Sequence, residues 1–405
     1  MITPRVAITG LGLVCGAGLD LATSWPGVLA GRSPAKRFTL FDPTGLAVPF
    51  GIELPAGADE LFARRIKPRH RSLMTRGTAI AVVTAEMAMA DSDLDWERVD
   101  RTRVGVAVGT TGTGYVPPPS GADPHRILRN MSNSPASWVS LLRKLAGPSF
   151  IVSTACSSGA YALAAGHALV ASGLCDVVVA GAADSSINAL DVQGFASLMA
   201  LAEHAEHPEQ ACKPFDRDRS GFVMGEGGGF LVLERLTAAK SRGARIYAEM
   251  PLPALTSEVY NILSPEPGGV GMATTMRQAL EQAGLTPSDV DYVNAHGTST
   301  QLNDLYEAQA IRSVFAEHAT RLPISSTKTV TGHCLAAAAG IEAVLSCKAL
   351  HEGVIPPTGN LASTDLELGL DFVPGAARPA SLRHVMSNAF AFGGHNGVCV
   401  FAKPQ

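Results

Sequence analysis

Short apolar runs recur along the chain with helix-like stretches between them: Val6 to Thr9, Val104 to Val108, Phe150 to Ser153, Val177 to Ala180, Phe230 to Leu233, Tyr292 to Asn294, Ile324 to Ser326 and Val398 to Phe401. Several of them have no polar position. A strand with one wet face alternates apolar with polar residues, whereas a strand without a polar face has to be covered by helices on both sides. The pattern therefore predicts an α/β protein, with Pro and Gly collected in loops at Gly112 to Gly121, which contains Pro117-Pro-Pro119, and at Pro251 to Gly271. Two stretches echo each other. One strand ends at Cys156 before an Ala-rich helix, Ala160 to Ser172; another ends near Ser326, before a turn that leads into Leu335-Ala-Ala-Ala-Ala-Gly340 and a helix reaching Leu350. The echo predicts a doubled helix, sheet and helix unit, divided as residues 1–248 and 249–405. Folding would then bring the turn of one half against the turn of the other. Chance likeness of two Ala-rich helices is the plainer alternative.

A chain of 405 residues has ample material for a large core. With 46% hydrophobic and only 17% charged residues its surface is sparsely charged, which predicts that a second subunit covers part of it. A net charge of -4 provides no global field for nucleic acid or a membrane surface. The seven cysteines (Cys15, Cys156, Cys175, Cys212, Cys334, Cys347 and Cys399) are scattered, odd in number and without a CxxC pair, which argues against a disulfide frame and a zinc cage. Met1 to Gly10 reads as a first strand and glycine turn instead of a signal peptide, and no run is apolar and long enough for a membrane span, so a cytoplasmic protein is expected.

Chemistry concentrates in a few places. Cys156 lies at a small-residue turn before a helix, where the helix dipole would favour the thiolate. A lone cysteine in such a turn is ordinarily an inert core residue. Downstream, however, stand His296 in Asn294-Ala-His-Gly-Thr-Ser-Thr300, Lys328 and His333 in Ser325-Ser-Thr-Lys-Thr-Val-Thr-Gly-His333, and Phe392 in Asn388-Ala-Phe-Ala-Phe-Gly-Gly-His-Asn396. A nucleophile with two imidazoles suits acyl transfer followed by stabilisation of a developing oxyanion. Gly297 and Gly332 flank the histidines where side chains would crowd a substrate.

Taken with Lys213-Pro-Phe-Asp-Arg-Asp-Arg-Ser-Gly-Phe222 and Gly225-Glu-Gly-Gly228, these motifs resemble the decarboxylating β-ketoacyl synthases of the thiolase superfamily, the Cys-His-His condensing enzymes that act on acyl carrier proteins. The likeness runs from Val6-Ala-Ile-Thr-Gly-Leu-Gly12 to the C-terminal Phe-Gly-Gly-His-Asn run. It implies a thiolase fold, a duplicated αβαβα arrangement of five layers. It implies that Cys156 takes the acyl group and that His296 and His333 donate to the enolate left when malonyl-carrier loses carbon dioxide. Lys328 would be a buried cation paired with Glu342, and the amide of Phe392 would join that of Cys156 as an oxyanion hole while its ring gates the malonyl side. Thr298 and Thr300 would hold the phosphopantetheine arm, which the acyl carrier protein delivers, so no covalently bound cofactor and no metal is implied. Phe195 and Gly112 would shape the acyl pocket. The basic run Arg64, Arg65, Lys67, Arg69 and Arg71, with Arg76 beyond it, would dock the acidic carrier, although such a run is ordinarily a solvated face.

The sequence departs from the family pattern at Ala391, where glycine is usual, at Gln301, where proline is frequent, and at Gly112, where relatives carry a bulky apolar residue. These departures lean towards a type II polyketide or specialised fatty-acid pathway over housekeeping elongation. A non-catalytic chain-length-factor-like subunit would lack the nucleophile, a coenzyme A thiolase would carry a second catalytic cysteine, and a starter-type synthase would show asparagine in place of His333. The partner subunit implied is either a second copy or a chain-length-factor-like protein.

Overall fold

A computed structural model describes residues 5–112, 125–203 and 206–404. The strands of its main sheet, numbered in chain order, are β1 (Val6–Val14), β2 (Val104–Gly109), β3 (Ser149–Val152), β4 (Val177–Asp184), β5 (Gly227–Arg235), β6 (Ala248–Met250), β7 (Ala254–Ser257), β8 (Tyr292–Asn294), β9 (Ile324–Ser325), β10 (His384–Phe390) and β11 (His395–Ala402). The first unit is ordered β3-β2-β4-β5-β1 and the second β9-β8-β10-β11-β7, and β6 stitches them together through β1 and the last pair of β11. Read across either unit, the pairings are parallel, parallel, antiparallel, antiparallel. Two chance folds would not share both strand order and direction, so the echo in the sequence is a duplication.

Helices cover both faces of each unit. Between the units lie α2 (Ser158–Ala171) and α5 (Ala338–Glu352), which follow β3 and β9, and their apolar residues share one core with Leu11, Leu13, Val178, Leu231, Val385 and Phe401. Outside the first unit α1 (Arg76–Asp91) packs on the opposite residues of the same strands, Val177, Val179, Phe230 and Val232. Outside the second unit α3 (Val270–Ala283) and α4 (Gln301–Phe315) pack on Val293, Met386, Val398 and Val400. Five layers result, and they explain why several strands carry apolar residues at successive positions: alternate residues enter different cores.

The two central helices approach closely at glycines. A Cβ on Gly159 would lie 2.5 Å from the Gly340 nitrogen, and one on Gly340 would lie 2.6 Å from the Gly229 carbonyl oxygen. Only a bare Cα fits there.

Some expectations shift. Pro251 to Gly271 is not only loop, since it contains β7, a 3-10 turn over Pro267–Gly269 and the first two residues of α3; the prolines before Ala254 mask a four-residue strand. Strand β10 was hidden in the Asn388 motif, whose glycines drew the eye to the turn that follows. The helix after Cys156 begins at Ser158, two residues early, and the second central helix is preceded by a 3-10 turn over Leu335–Ala337. Of the expected loop from Gly112 to Gly121, the part with Pro117 to Pro119 lies outside the described residues.

Candidate active site

Cys156, His296 and His333 come from three strand ends. Each follows the carboxyl end of a parallel strand, β3, β8 and β9 respectively, where α/β sheets open crevices. One ligand atom of each residue falls within 4.8 Å of the other two, and all three residues are buried.

The turn at the cysteine is built from hydroxyls and strain. Ala155 holds φ at +48°, the left-handed region that non-glycine residues avoid, and this reverses the chain from β3 into α2. The Ser158 hydroxyl donates to the Ala155 carbonyl at 2.6 Å and accepts from the Thr154 amide at 2.8 Å, while the Ser157 hydroxyl donates to the Thr154 carbonyl at 2.9 Å. Sulfur is thus fixed at the start of a helix. The helix end does not make it a resting thiolate, however: burial pushes the Cys156 thiol up to about 11, although the charge of Lys328 and the N–H of Phe392 pull the other way. This corrects the sequence reading, in which the dipole prevailed.

His296 is held through its backbone. Glu307, buried on α4, accepts from the amides of His296 at 2.8 Å and Gly297 at 2.7 Å and from the Asn388 side chain at 3.0 Å. One turn earlier Asp304 accepts from the amides of Thr298, Ser299 and Phe215. The sequence reading missed both carboxylates. Their signal was an i, i+3 acidic pair directly after the His-Gly-Thr motif, a spacing that puts both on one helix face. Burial pushes the Glu307 carboxyl up to about 6.

Lys328 is wholly buried. Its Nζ donates to the carboxylate of Glu342 and the carbonyl of His296, and it lies 3.3 Å from His296 Nδ1. A surface lysine is excluded. Because His296 Nδ1 faces an ammonium donor, it accepts, and the ring carries its proton on Nε2. His333 is set by main-chain bonds, its amide donating to Val223 and its carbonyl accepting from Gly225, and its ring meets Phe222 edge-on at 5.0 Å. Its Nδ1 has no partner among the described residues. Burial and the Lys328 charge hold both imidazoles well below their usual value, so both are neutral. Burial lifts the Glu342 carboxyl to about 7, against the pull of Lys328. Gly297 and Gly332 are cramped by the protein and not by substrate: an added Cβ would meet Ser326 at 2.7 Å and Gly225 at 2.9 Å.

Three soft donors this close could suit a metal ion. A divalent cation would need the sulfur as thiolate, which burial opposes, and would lie beside the buried ammonium of Lys328, whose charge repels it.

The cluster floors a cavity of about 330 Å³, within the usual range for small-ligand sites. Its lining mixes apolar residues, among them Phe195, Leu198, Met199, Phe222 and Leu335, with polar ones, Thr298, Thr300, Gln301, Asn303 and Ser264. Phe392 lines it too, in a turn with Gly393 and Gly394 at positive φ, while Ala391 is extended at φ −122° and needs no glycine. Gly112 is not among the lining residues. Its neighbour Thr111 is bonded to Asp184, and Phe195, the other expected pocket residue, does line the cavity. Of the basic run, Arg64, Arg65, Lys67 and Arg69 are exposed, although Arg65 also pairs with Glu86 at 3.3 Å. Arg71 and Arg76 turn inward, and so leave the solvated patch. Arg71 donates to the Met74 carbonyl, and Arg76 forms a two-pronged pair with buried Glu226 at 2.7 and 2.8 Å.

Comparisons with known proteins agree over the whole chain. Residues 3–239 match the family model described as beta-ketoacyl synthase, N-terminal domain, and residues 247–362 the corresponding C-terminal domain. The chain is 37% identical over 413 residues to the 3-oxoacyl-[acyl-carrier-protein] synthase 2 of Synechocystis, covering 99% of this chain and 98% of that protein. Among solved structures, the ishigamide ketosynthase/chain length factor superposes with a TM-score of 0.91 at 30% identity, covering 100% of both chains. A type II polyketide ketosynthase bound to the hexaketide, solved in complex with its acyl-carrier protein, does so with a TM-score of 0.89 at 29% identity, also covering 100% of both chains. No helix among the described residues is long and apolar enough to cross a membrane.

Proposed function

The chain belongs to the beta-ketoacyl synthase family as a 3-oxoacyl-[acyl carrier protein] synthase, an acyltransferase, and on that premise we propose that it extends a Cys156-bound acyl chain with malonyl-carrier by decarboxylative condensation. The observation that carries this reading is the convergence of one sulfur and two neutral imidazoles in a cavity lined by both apolar and polar side chains.

The geometry supports a division of labour. The thiol rests protonated, so acyl transfer needs a proton acceptor when the thioester arrives. His296 already carries its proton on Nε2, whereas His333, with Nδ1 unpartnered, can hold its proton there, take the thiol proton at Nε2 and pass it to the carrier thiolate as the thioester breaks. The oxygen of the thioester tetrahedral intermediate lies with the amides of Cys156 and Phe392. After malonyl loses carbon dioxide, the enolate oxygen receives the Nε2–H of His296 and, once the neutral ring of His333 has moved its proton from Nδ1 to Nε2, that of His333, each donor lowering the barrier by about 3 kcal/mol. Lys328, paired with Glu342, orients His296. Thr298 and Thr300, 2.8 Å apart through their hydroxyls, line the cavity where the phosphopantetheine arm would lie, and Phe195 lines it where the acyl chain would. The exposed cations Arg64, Arg65, Lys67 and Arg69 suit an acidic carrier protein.

The pathway we infer is a type II polyketide or specialised fatty-acid pathway. Ala391 and Gln301 depart from the housekeeping pattern, and the polyketide neighbours match over full length. A chain-length-factor-like role without catalysis is disfavoured by the intact nucleophile and histidines. The test is intact mass spectrometry of the protein offered acyl-carrier thioesters of graded length with malonyl-carrier. Acyl mass appears on Cys156 and 3-oxoacyl-carrier is released; Cys156→Ala abolishes both. If no chain length loads, the proposal fails.

A further inference from the structure

Much of the apolar lining of the cavity comes from one segment. Phe195, Leu198, Met199 and Ala200 all belong to the helix Ala189–Ser197 and the turn after it, and Phe195 and Ala200 pack in one cluster with Phe222 and Leu335. Within the chain, packing holds this segment weakly: its helix buries only Val192, Leu190, Leu198 and Met199 are 65%, 48% and 86% exposed, and Met199 adopts a left-handed φ of +54°. Its far end is fixed to Phe222 by hydrogen bonds through Ala200 and Ala202.

Its near end is fixed by polar groups that the catalytic chemistry does not use. Asp184, at the end of β4 and 1% exposed, accepts from the Thr111 amide at 3.1 Å, the Thr111 hydroxyl at 2.5 Å and the Ser186 hydroxyl at 2.9 Å. The Ser185 hydroxyl donates to Glu226 at 2.7 Å, and Glu226 is itself immobilised by Arg76 and by the Leu54 amide at 3.0 Å. Hydrogen bonds to buried carboxylates are short, strong and sharply directional. Strands β2 and β4 are in register at Gly109 and Ala182, so the Thr111–Asp184 bond locks two strand ends while Ser185 ties the chain to a third element.

We propose that this clasp, Thr111–Asp184 on one arm and Ser185–Glu226 on the other, sets the acyl-chain preference of the enzyme, with Thr111 and Ser185 as positioning residues that touch neither substrate nor reacting atoms. The proposal rests on the condensing reading above. A wall pinned at both ends and loose between them moves as its root moves, and that motion opens or closes the edge contact of Phe195 on Phe222, whose ring centres are 5.5 Å apart. One methylene of room is worth about tenfold or more in discrimination between chain lengths, so a slight slackening is measurable.

The experiment offers the full-length parent, Ser185→Ala, Thr111→Val and Ser185→Thr an equimolar mixture of short and long acyl-carrier thioesters and reads the acyl masses on Cys156. The expected result is a long-to-short ratio shifted about threefold or more in Ser185→Ala and Thr111→Val, with Ser185→Thr, which keeps the hydroxyl, matching the parent. An unchanged ratio in both variants, or an equal loss of both lengths, overturns the clasp while leaving the condensing reading intact. A parent that takes up no acyl group overturns the condensing reading and the clasp with it. The two substitutions lie on separate arms, so a folding failure in one leaves the other to decide.

Discussion

At the scale of residues, the sulfur and the two imidazoles of the site are kept neutral until needed. A thiol raised to about 11 has a thiolate fraction that grows about tenfold per pH unit throughout the neutral and mildly alkaline range. Iodoacetamide labelling of Cys156, followed by peptide mass, is expected to accelerate from pH 7 through pH 9 without levelling; a plateau near pH 7 would mean a resting thiolate. The histidines give the opposite sign. Their folded values lie well below 6.5, so they stay neutral as the pH falls past the point where free imidazole charges. Carbon dioxide release from malonyl-carrier is accordingly expected to show no acid limb centred at 6.5. In the same window the unfolded chain takes up protons that the folded histidines refuse, so their contribution to stability falls as pH drops below 6.5. The identities of Cys156, His296 and His333 were legible because each stands in a motif of small residues. Their charge states were not, because desolvation depends on what covers a group, and that is supplied by segments far away in sequence.

At the scale of elements, α4 is the frame for the first histidine. Replacing Glu307 with Gln leaves an acceptor for only one of the two amides at His296 and Gly297, so a buried N–H loses its partner at a cost of about 1–3 kcal/mol. Glu307→Gln is expected to slow malonyl decarboxylation more than acylation of Cys156, measured as separate half-reactions, because the displaced imidazole serves the former. The packing of α5 on β5 is equally exacting. Gly340→Ala would drive a methyl into the Gly229 carbonyl, and overpacking of that kind costs about 1–3 kcal/mol, so a lower midpoint of urea unfolding is expected. Apolar runs and Ala-rich helices made strands and central helices legible in the sequence. Strand β7 and the Arg76–Glu226 pair were not, since a proline-flanked tetrapeptide reads as loop and an arginine that turns inward looks like its exposed neighbours Arg64 and Arg69.

At the scale of the whole molecule, β3 is an edge strand whose Phe150, Ile151 and Val152 are only half-buried. Such an edge invites pairing with another chain. Sedimentation velocity of the purified protein is expected to give a species of about twice 42.0 kDa, or a stable pair only when a related subunit is added; a monomer under both conditions would refute the two-subunit reading. The mirrored strand order also shapes how such a protein can diversify. Sulfur comes from one repeat and both imidazoles from the other, so a lineage that changes its chemistry must alter the two in concert. The greasy wall over residues 195–200 belongs to one repeat alone, and descendants are free to acquire new products by drift in that stretch while the reaction itself stays inherited unchanged.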